Sequence, residues 1–185
     1  MDDAVLAAMA RWPGVPEVYD WLRLDRRGRW RLKGERIDHA GLHDFICRNY
    51  AADAAGRHFV QNGPQRVFVR LDYTPWILRI GDGGLTTHCG TPFDAPDAAF
   101  IDEEGAVLVS NRRGEIGLID DRDLPAVLDR LMSLDGEPAD PEALANIDRQ
   151  PLQLLLDRLT LPVRTLRRAE VARRFPFDPN PLPPD

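Results

Sequence analysis

Leu24-Asp25-Arg26-Arg27-Gly28-Arg29-Trp30-Arg31-Leu32 reads as an apolar residue, Asp, two charges, Gly, then an alternating strand. Ile101-Asp102-Glu103-Glu104-Gly105-Ala106-Val107-Leu108-Val109 repeats that order. Each copy leads to a helix start, at Ile37-Asp38 with Leu42 following and at Ile119-Asp120 with Leu124 following. The second copy carries extra residues around Asn111-Arg112-Arg113-Gly114, where a turn tolerates them. Such self-similarity predicts a duplicated ββα unit and an α+β fold. It speaks to architecture and assigns no chemistry.

Between the copies the pattern changes to period two. His58-Phe59-Val60, Val67 to Leu71 and Trp76 to Ile80 are separated by Asn62-Gly63-Pro64 and Asp72-Tyr73-Thr74-Pro75, and Asp82-Gly83-Gly84 turns into Leu85 to His88. This reads as an antiparallel β-meander running from Arg57 to about Cys89, with Asn-Gly as its firmest turn cue.

The flanks read as helical. Residues 3 to 11 are strong helix formers, stopped by Pro13-Gly14 and Pro16. Asp38 is placed as the cap of a helix carrying Leu42, Phe45 and Ile46 and running to about Ala52. Pro125 belongs in the first turn of the helix with Leu124, Val127, Leu128 and Leu131, and Asp140-Pro141-Glu142 opens a short one. Gln150-Pro151 is predicted to open another, since Leu152, Leu155, Leu156 and Leu159 fall at helical spacing. Residues 161 to 175 fit helix or strand, and the Pro-rich tail from 176 to 185 is extended. The domain reading is an N-terminal helix and linker (1–19), a first ββα unit plus meander (20–92), a second ββα unit (93–135) and a helical C-terminal segment (136–185).

A chain of 185 residues buries about 70% of its unfolded surface, enough to fold without metal or disulfide. The two cysteines, Cys47 and Cys89, show no CxxC spacing, and no apolar run suits a signal peptide or membrane span, so a cytoplasmic location is expected. The net charge of −6 and pI near 5.2 argue against a nucleic-acid binder. Lys33 is the only lysine, and Ser110 and Ser133 are the only serines. P-loop, Schiff-base and nucleophile-elbow chemistries therefore have no residues to use.

His39, His43 and Cys47 recur every four residues and could ligate a metal from one helix side, which makes a metal-dependent enzyme the competing reading. A boundary stripe beside Leu42, Phe45 and Ile46 is the preferred reading, since three such residues at one spacing are a weak metal signal, and a Cys47–His43 thiolate dyad is disfavoured by the helix C-terminus. Asp25 and Asp102 fit turn roles, and Asp38 and Asp120 fit caps. The first hairpin gathers Arg23, Arg26, Arg27, Arg29 and Arg31, whereas its repeat carries Asp102, Glu103 and Glu104. Arg27 and Arg29 of that hairpin, with Arg70, Tyr73 and Trp76 around the Asp72 turn, form the expected ligand-binding surface, suited to a small anionic ligand or a protein partner. No cofactor is expected. The arginines at 164, 167, 168, 173 and 174 read as a solvated face.

Leu24 to Trp30, the turn to Gly34-Glu35-Arg36-Ile37, and Gln65 to Trp76 resemble uncharacterised proteobacterial domain-of-unknown-function proteins. In these, a "D-G-x-W … G-x-P-I" hairpin precedes a helix and a "V-x-V-x-D-x-P-F" turn. The likeness covers residues 20 to 80 and extends more weakly to 134; Trp76 and Tyr73-Thr74 depart from the pattern. It implies an α+β fold with repeated strand and helix motifs and a proposed signal-transduction role, and it carries over no catalytic residue. Together these readings describe a non-enzymatic binding or regulatory module.

Overall fold

One turn design organises both halves of the chain. In the computed structural model, Asp25 N donates to Arg29 O and Gly28 N to Asp25 O, both at 3.0 Å, while Asp25 Oδ1 accepts from the amides of Arg27 and Arg29 at 2.9 and 3.0 Å. Asp102 repeats this arrangement. It makes the same two backbone bonds at 3.0 Å to Ala106 and Gly105, and its Oδ1 accepts from Glu104 and Ala106 at 2.9 and 2.8 Å. Asp53 and Asn111 build the same turn. Each carboxylate or amide satisfies donors that a tight turn strips of strand partners, and the glycine supplies the left-handed position. At Gly56 (φ +76°) a Cβ would come within 2.7 Å of Pro176 O, so this turn also admits the returning tail.

The structure describes all residues except 12–16, 82, 148, 157, 158 and 185. The predicted stop at Pro13-Gly14 and Pro16, and Asp82 of the predicted turn, lie outside the described residues. The chain divides into two units, one of residues 1–75 with 176–185 and one of 76–175. The division falls at Pro75 and Pro176 and cuts through the expected 20–92 and 136–185 segments.

Unit 1 holds α1 (Asp3–Arg11), β1 (Val18–Leu24), β2 (Trp30–Leu32), β3 (Glu35–Arg36), α2 (Ala40–Arg48), β4 (Tyr50–Ala52), β5 (His58–Asn62) and β6 (Gln65–Leu71). Among the described residues its sheet runs β3-β2-β1-β6-β5-β4, with β1 parallel to β6 and the other neighbours antiparallel. Leu22, Leu24, Trp30, Val69 and Leu71 are buried on one face, while Arg23, Arg31 and Arg70 point to the other, whose buried apolar residues in β5 and β6 are Phe59 and Phe68. Tyr50 meets Trp30 edge-on at 5.2 Å, and its hydroxyl donates to Pro75 O at 3.1 Å.

Unit 2 holds β7 (Trp76–Gly81), β8 (Gly84–Thr87), β9 (Pro96–Ile101), β10 (Val107–Asn111), β11 (Ile116–Ile119), α3 (Leu124–Leu128), β12 (Leu131–Ser133), α4 (Pro141–Ala145), β13 (Leu152–Leu156), β14 (Leu159–Thr165) and α5 (Arg168–Arg174). Its sheet runs β12-β13-β14-β9-β10-β11-β7-β8. Read from β11 to β12, this is the order of unit 1, again with the first strand parallel to the last. Registers agree too: Leu24 opposes Trp30 and Leu71 as Ile101 opposes Val107 and Thr165. Gln61 N donates to Asn49 O (3.0 Å) as Leu155 N donates to Arg130 O (2.9 Å). The β7–β8 hairpin is extra in unit 2.

Both sheets are mixed and helices are few, a mainly-β or α+β architecture. Several expectations need correction. Three strands, not two, precede each helix and three more follow it. The meander is broken: β6 pairs with β1 rather than β7, and β7 joins the other unit parallel to β11. Asp72 does not turn the chain back, because its amide is taken by Leu24 O at 3.0 Å. The cap of α2 is His39, whose Nδ1 accepts from Leu42 N at 3.2 Å, and Asp38 instead pairs with Arg36 at 2.7 Å. That helix ends at Arg48 because Asn49 Nδ2 takes Phe45 O at 2.9 Å.

The predicted helix at Leu152 is the β13–β14 hairpin. Leu152, Leu154 and Leu156 are 2%, 0% and 4% exposed while Leu155 is 41% exposed, a period of two that overrides the helical spacing. Residues 161–175 supply strand and then helix. Pro125 in the first turn of α3, and Asp140 capping α4 through Ala143 N at 2.7 Å, lie where they were expected.

Candidate functional site

Charge separates the two units before geometry does. Unit 1 carries twelve basic and twelve acidic residues, unit 2 twelve and eighteen, so the whole excess of −6 belongs to unit 2. Within unit 1 the register concentrates the cations. Arg36 opposes Arg31, Arg31 opposes Arg23, and Arg23 opposes Arg70, so four arginines stand directly across β3, β2, β1 and β6 on one face. With neighbouring strands ~4.8 Å apart, the row is about 14 Å long.

Carboxylates accompany most of the row. Arg23 makes a two-pronged ion pair with Asp72, with Nη2 to Oδ2 at 2.9 Å, and that bond holds its guanidinium pKa above the ordinary value. Arg31 lies 3.5 Å from Asp25 and donates to Gly34 O at 3.2 Å. Arg70 is exposed and, among the described residues, has no carboxylate partner.

Aromatic rings pave the same face. Tyr19 stacks on Phe68 at 4.7 Å and 9°, Phe68 meets Phe59 at 5.9 Å, and the guanidiniums of Arg57 and Arg66 lie over Phe68 and Phe59 at 4.6 and 4.8 Å. Arg57 is held further by Asp53 at 2.8 Å. Burial would raise the Asp53 pKa, but hydrogen bonds from the Arg57 backbone and side chain bring it below the usual carboxylate range. Lys33 covers Trp21 at 3.8 Å, leaving that ring 48% exposed. Each cation–π contact contributes about 0.5–1 kcal/mol and, more usefully here, fixes the direction of a long side chain.

The five residues expected from sequence to bind a ligand are spread around this face and beyond it. Arg70 stands in the row. Arg27 and Arg29 lie in the β1–β2 turn that leads into it. Tyr73 is buried, with the Arg26 guanidinium 5.2 Å over its ring. Trp76 opens β7 in unit 2, half-buried and 5.9 Å from the His88 ring. Arg23 and Arg31 stand out in the sequence as charges of the first hairpin and Arg36 does not; their alignment depends on strand pairings that local sequence does not disclose.

On α2 and at its cap the His and Cys side chains are engaged within the chain. His39 Nδ1 is used as the helix cap, Cys47 is not a free thiol, and His43 lies 3.9 Å from Cys47 Sγ and 3.5 Å from Asp44. Among the described residues no group of three or more His, Cys, Asp or Glu side chains could hold a metal ion. Nor, among them, is any helix long and apolar enough to cross a membrane.

Residues 1–182 match the DUF2944 family model, described as "Protein of unknown function (DUF2946)", and the chain belongs to that family. In fold it is similar to a DUF1285 family protein from Silicibacter pomeroyi DSS-3, with a TM-score of 0.54 and 19% identity over 90% of this chain and 97% of that one. A DUF1285 family protein from Shewanella baltica OS155 aligns at a TM-score of 0.44 with 14% identity, over 57% of this chain and 88% of that one. No curated protein matches the chain.

Proposed function

We propose that this chain is a non-enzymatic binding module that recognises an acidic segment of a protein partner through the arginine face of unit 1, the kind of contact a regulatory role would use. One observation carries this reading: four arginines oppose one another on adjacent strands. Like charges directly opposite in a sheet destabilise it; carboxylates of the chain accompany Arg23, Arg31 and Arg36, so the charge left at Arg70 is offset most simply by an anion from a partner. Its length of about 14 Å exceeds a single carboxylate or phosphate and suits several acidic groups in sequence. Arg70 and Arg29, which lack carboxylate partners among the described residues, supply the free donors. We further infer that both units descend from one duplicated six-stranded ancestor, with unit 1 having acquired the charged face.

The test is fluorescence anisotropy of a labelled oligoglutamate peptide. The wild-type protein is expected to bind with an affinity that falls as salt rises, and Arg29→Gln with Arg70→Gln to weaken it about tenfold, as for two lost solvent-exposed ion pairs. An unchanged affinity in that variant, or no salt dependence, overturns the reading.

A further inference from the structure

The exposed β13–β14 side of unit 2 carries a groove that unit 1 has no means to build. In unit 1 the Asp53 turn runs directly into β5, whereas in unit 2 the matching Ser133 turn is followed by Pro138 and α4 before β13 begins. This insertion walls a cavity of about 690 Å³, within the usual range for small-molecule sites. Leu134, Ile147 and Pro162 give it an apolar lining, and Gln153, Thr160, Arg164 and Thr165 are its polar groups.

Two features set the chemistry of an occupant. Arg164 is exposed and, among the described residues, its side chain has neither an ion-pair nor a hydrogen-bond partner, which leaves the guanidinium donors open on the cavity wall. A neighbouring hollow of about 370 Å³ shares Leu134, Pro151 and Leu152 with the first and is edged by Asp135, Glu137 and Asp140. An anionic head is repelled from that acidic end and drawn to Arg164, while an apolar tail rests along Leu134, which is 61% exposed and otherwise uncovered.

We propose that this groove is a binding site for an apolar-tailed monocarboxylate, with the carboxylate on Arg164 and the tail along Leu134 and Ile147. The site is separate from the arginine face of unit 1, and either assignment stands without the other.

Isothermal titration calorimetry with octanoate and with octan-1-ol tests it. Octanoate should bind once per chain and octanol at least tenfold more weakly, the difference expected of one charge-assisted hydrogen-bonded contact. Arg164→Gln should lower octanoate affinity about tenfold and leave octanol unchanged, and Leu134→Asp should weaken both. Both residues are exposed, so an unchanged thermal midpoint certifies the fold. Absence of octanoate binding, or equal affinity in Arg164→Gln, overturns the proposal. So does a loss of octanoate binding in Arg70→Gln, which would move the contact to unit 1.

Discussion

Two sheets of the same order carry opposite faces. Arg23 of unit 1 stands between Arg31 and Arg70, and by the shared register its counterpart Phe100 stands between Leu108 and Arg164. Phe100 is 1% exposed, meets the Phe175 ring edge-on at 5.6 Å and lies under the Arg174 guanidinium at 4.9 Å. Unit 2 thus uses α5 and the residue that follows it to cover a surface that unit 1 leaves to solvent and dresses with arginine. Backbone topology did not choose between these outcomes; side chains did, and a change on one face is expected to be read very differently on the other.

The largest effect comes from exchanging the two residues. Phe100→Arg buries a cation among aromatic and apolar groups and should cost about 4 kcal/mol or more, from the lost ring and the desolvated charge together. Arg23→Phe, on a side chain half open to solvent, gives up its pair with Asp72 and should cost about 1 kcal/mol. Urea unfolding of both variants checks the asymmetry. Equal losses would mean that the two faces are not the different environments described here.

A smaller effect separates the two cores. His58 and Leu152 occupy matching positions, opposite Ala52 and Ser133. Burial pushes the His58 pKa down from 6.5 to about 4, against a smaller upward pull from Gly56 O, which its Nδ1 contacts at 3.2 Å. The folded state resists the proton and the unfolded state accepts it. The stability His58 contributes is therefore complete above pH 6.5 and is lost as pH falls toward 4, by about 3 kcal/mol in all. Leu152 does not titrate, so hydrogen exchange should show acid opening unit 1 before unit 2. His58→Leu should flatten the difference over this window, and simultaneous opening of both units in the wild-type protein would remove His58 as its cause.

What sequence could disclose was local. Asp25 and Asp102 announced their turns because the Asp side chain, the two intervening amides and the glycine all lie within five residues. Asn62-Gly63 and Asp140-Pro141 were legible for the same reason. The stretch Leu152 to Leu161 was not, because so many leucines fit a helical stripe and a strand face together, and only burial of alternate residues decides between them. The arginine face was hidden more deeply. Its row needs β1 beside β6, a parallel pairing across the intervening hairpins and α2, and no local pattern reports a partner so distant. Arg70 lies beside Tyr73 and Trp76 in sequence, yet its neighbour in the row is Arg23.

The smallest predicted change discriminates most finely between a functional and a merely solvated arginine row. Arg70 opposes Arg23 and has no carboxylate partner among the described residues, so its charge adds repulsion that the free protein does not relieve. Arg70→Gln should then stabilise the protein, by about 0.5 kcal/mol, while weakening oligoglutamate binding. Arg164 opposes Phe100, with no cation across the strand, so Arg164→Gln should leave stability within about 0.5 kcal/mol of wild type and show no consistent gain. Stability and affinity moving in opposite directions at Arg70 alone is the signature of a charge kept for a partner rather than for the fold. If Arg70→Gln is neutral or destabilising, the row is balanced within the free protein and calls for no acidic partner.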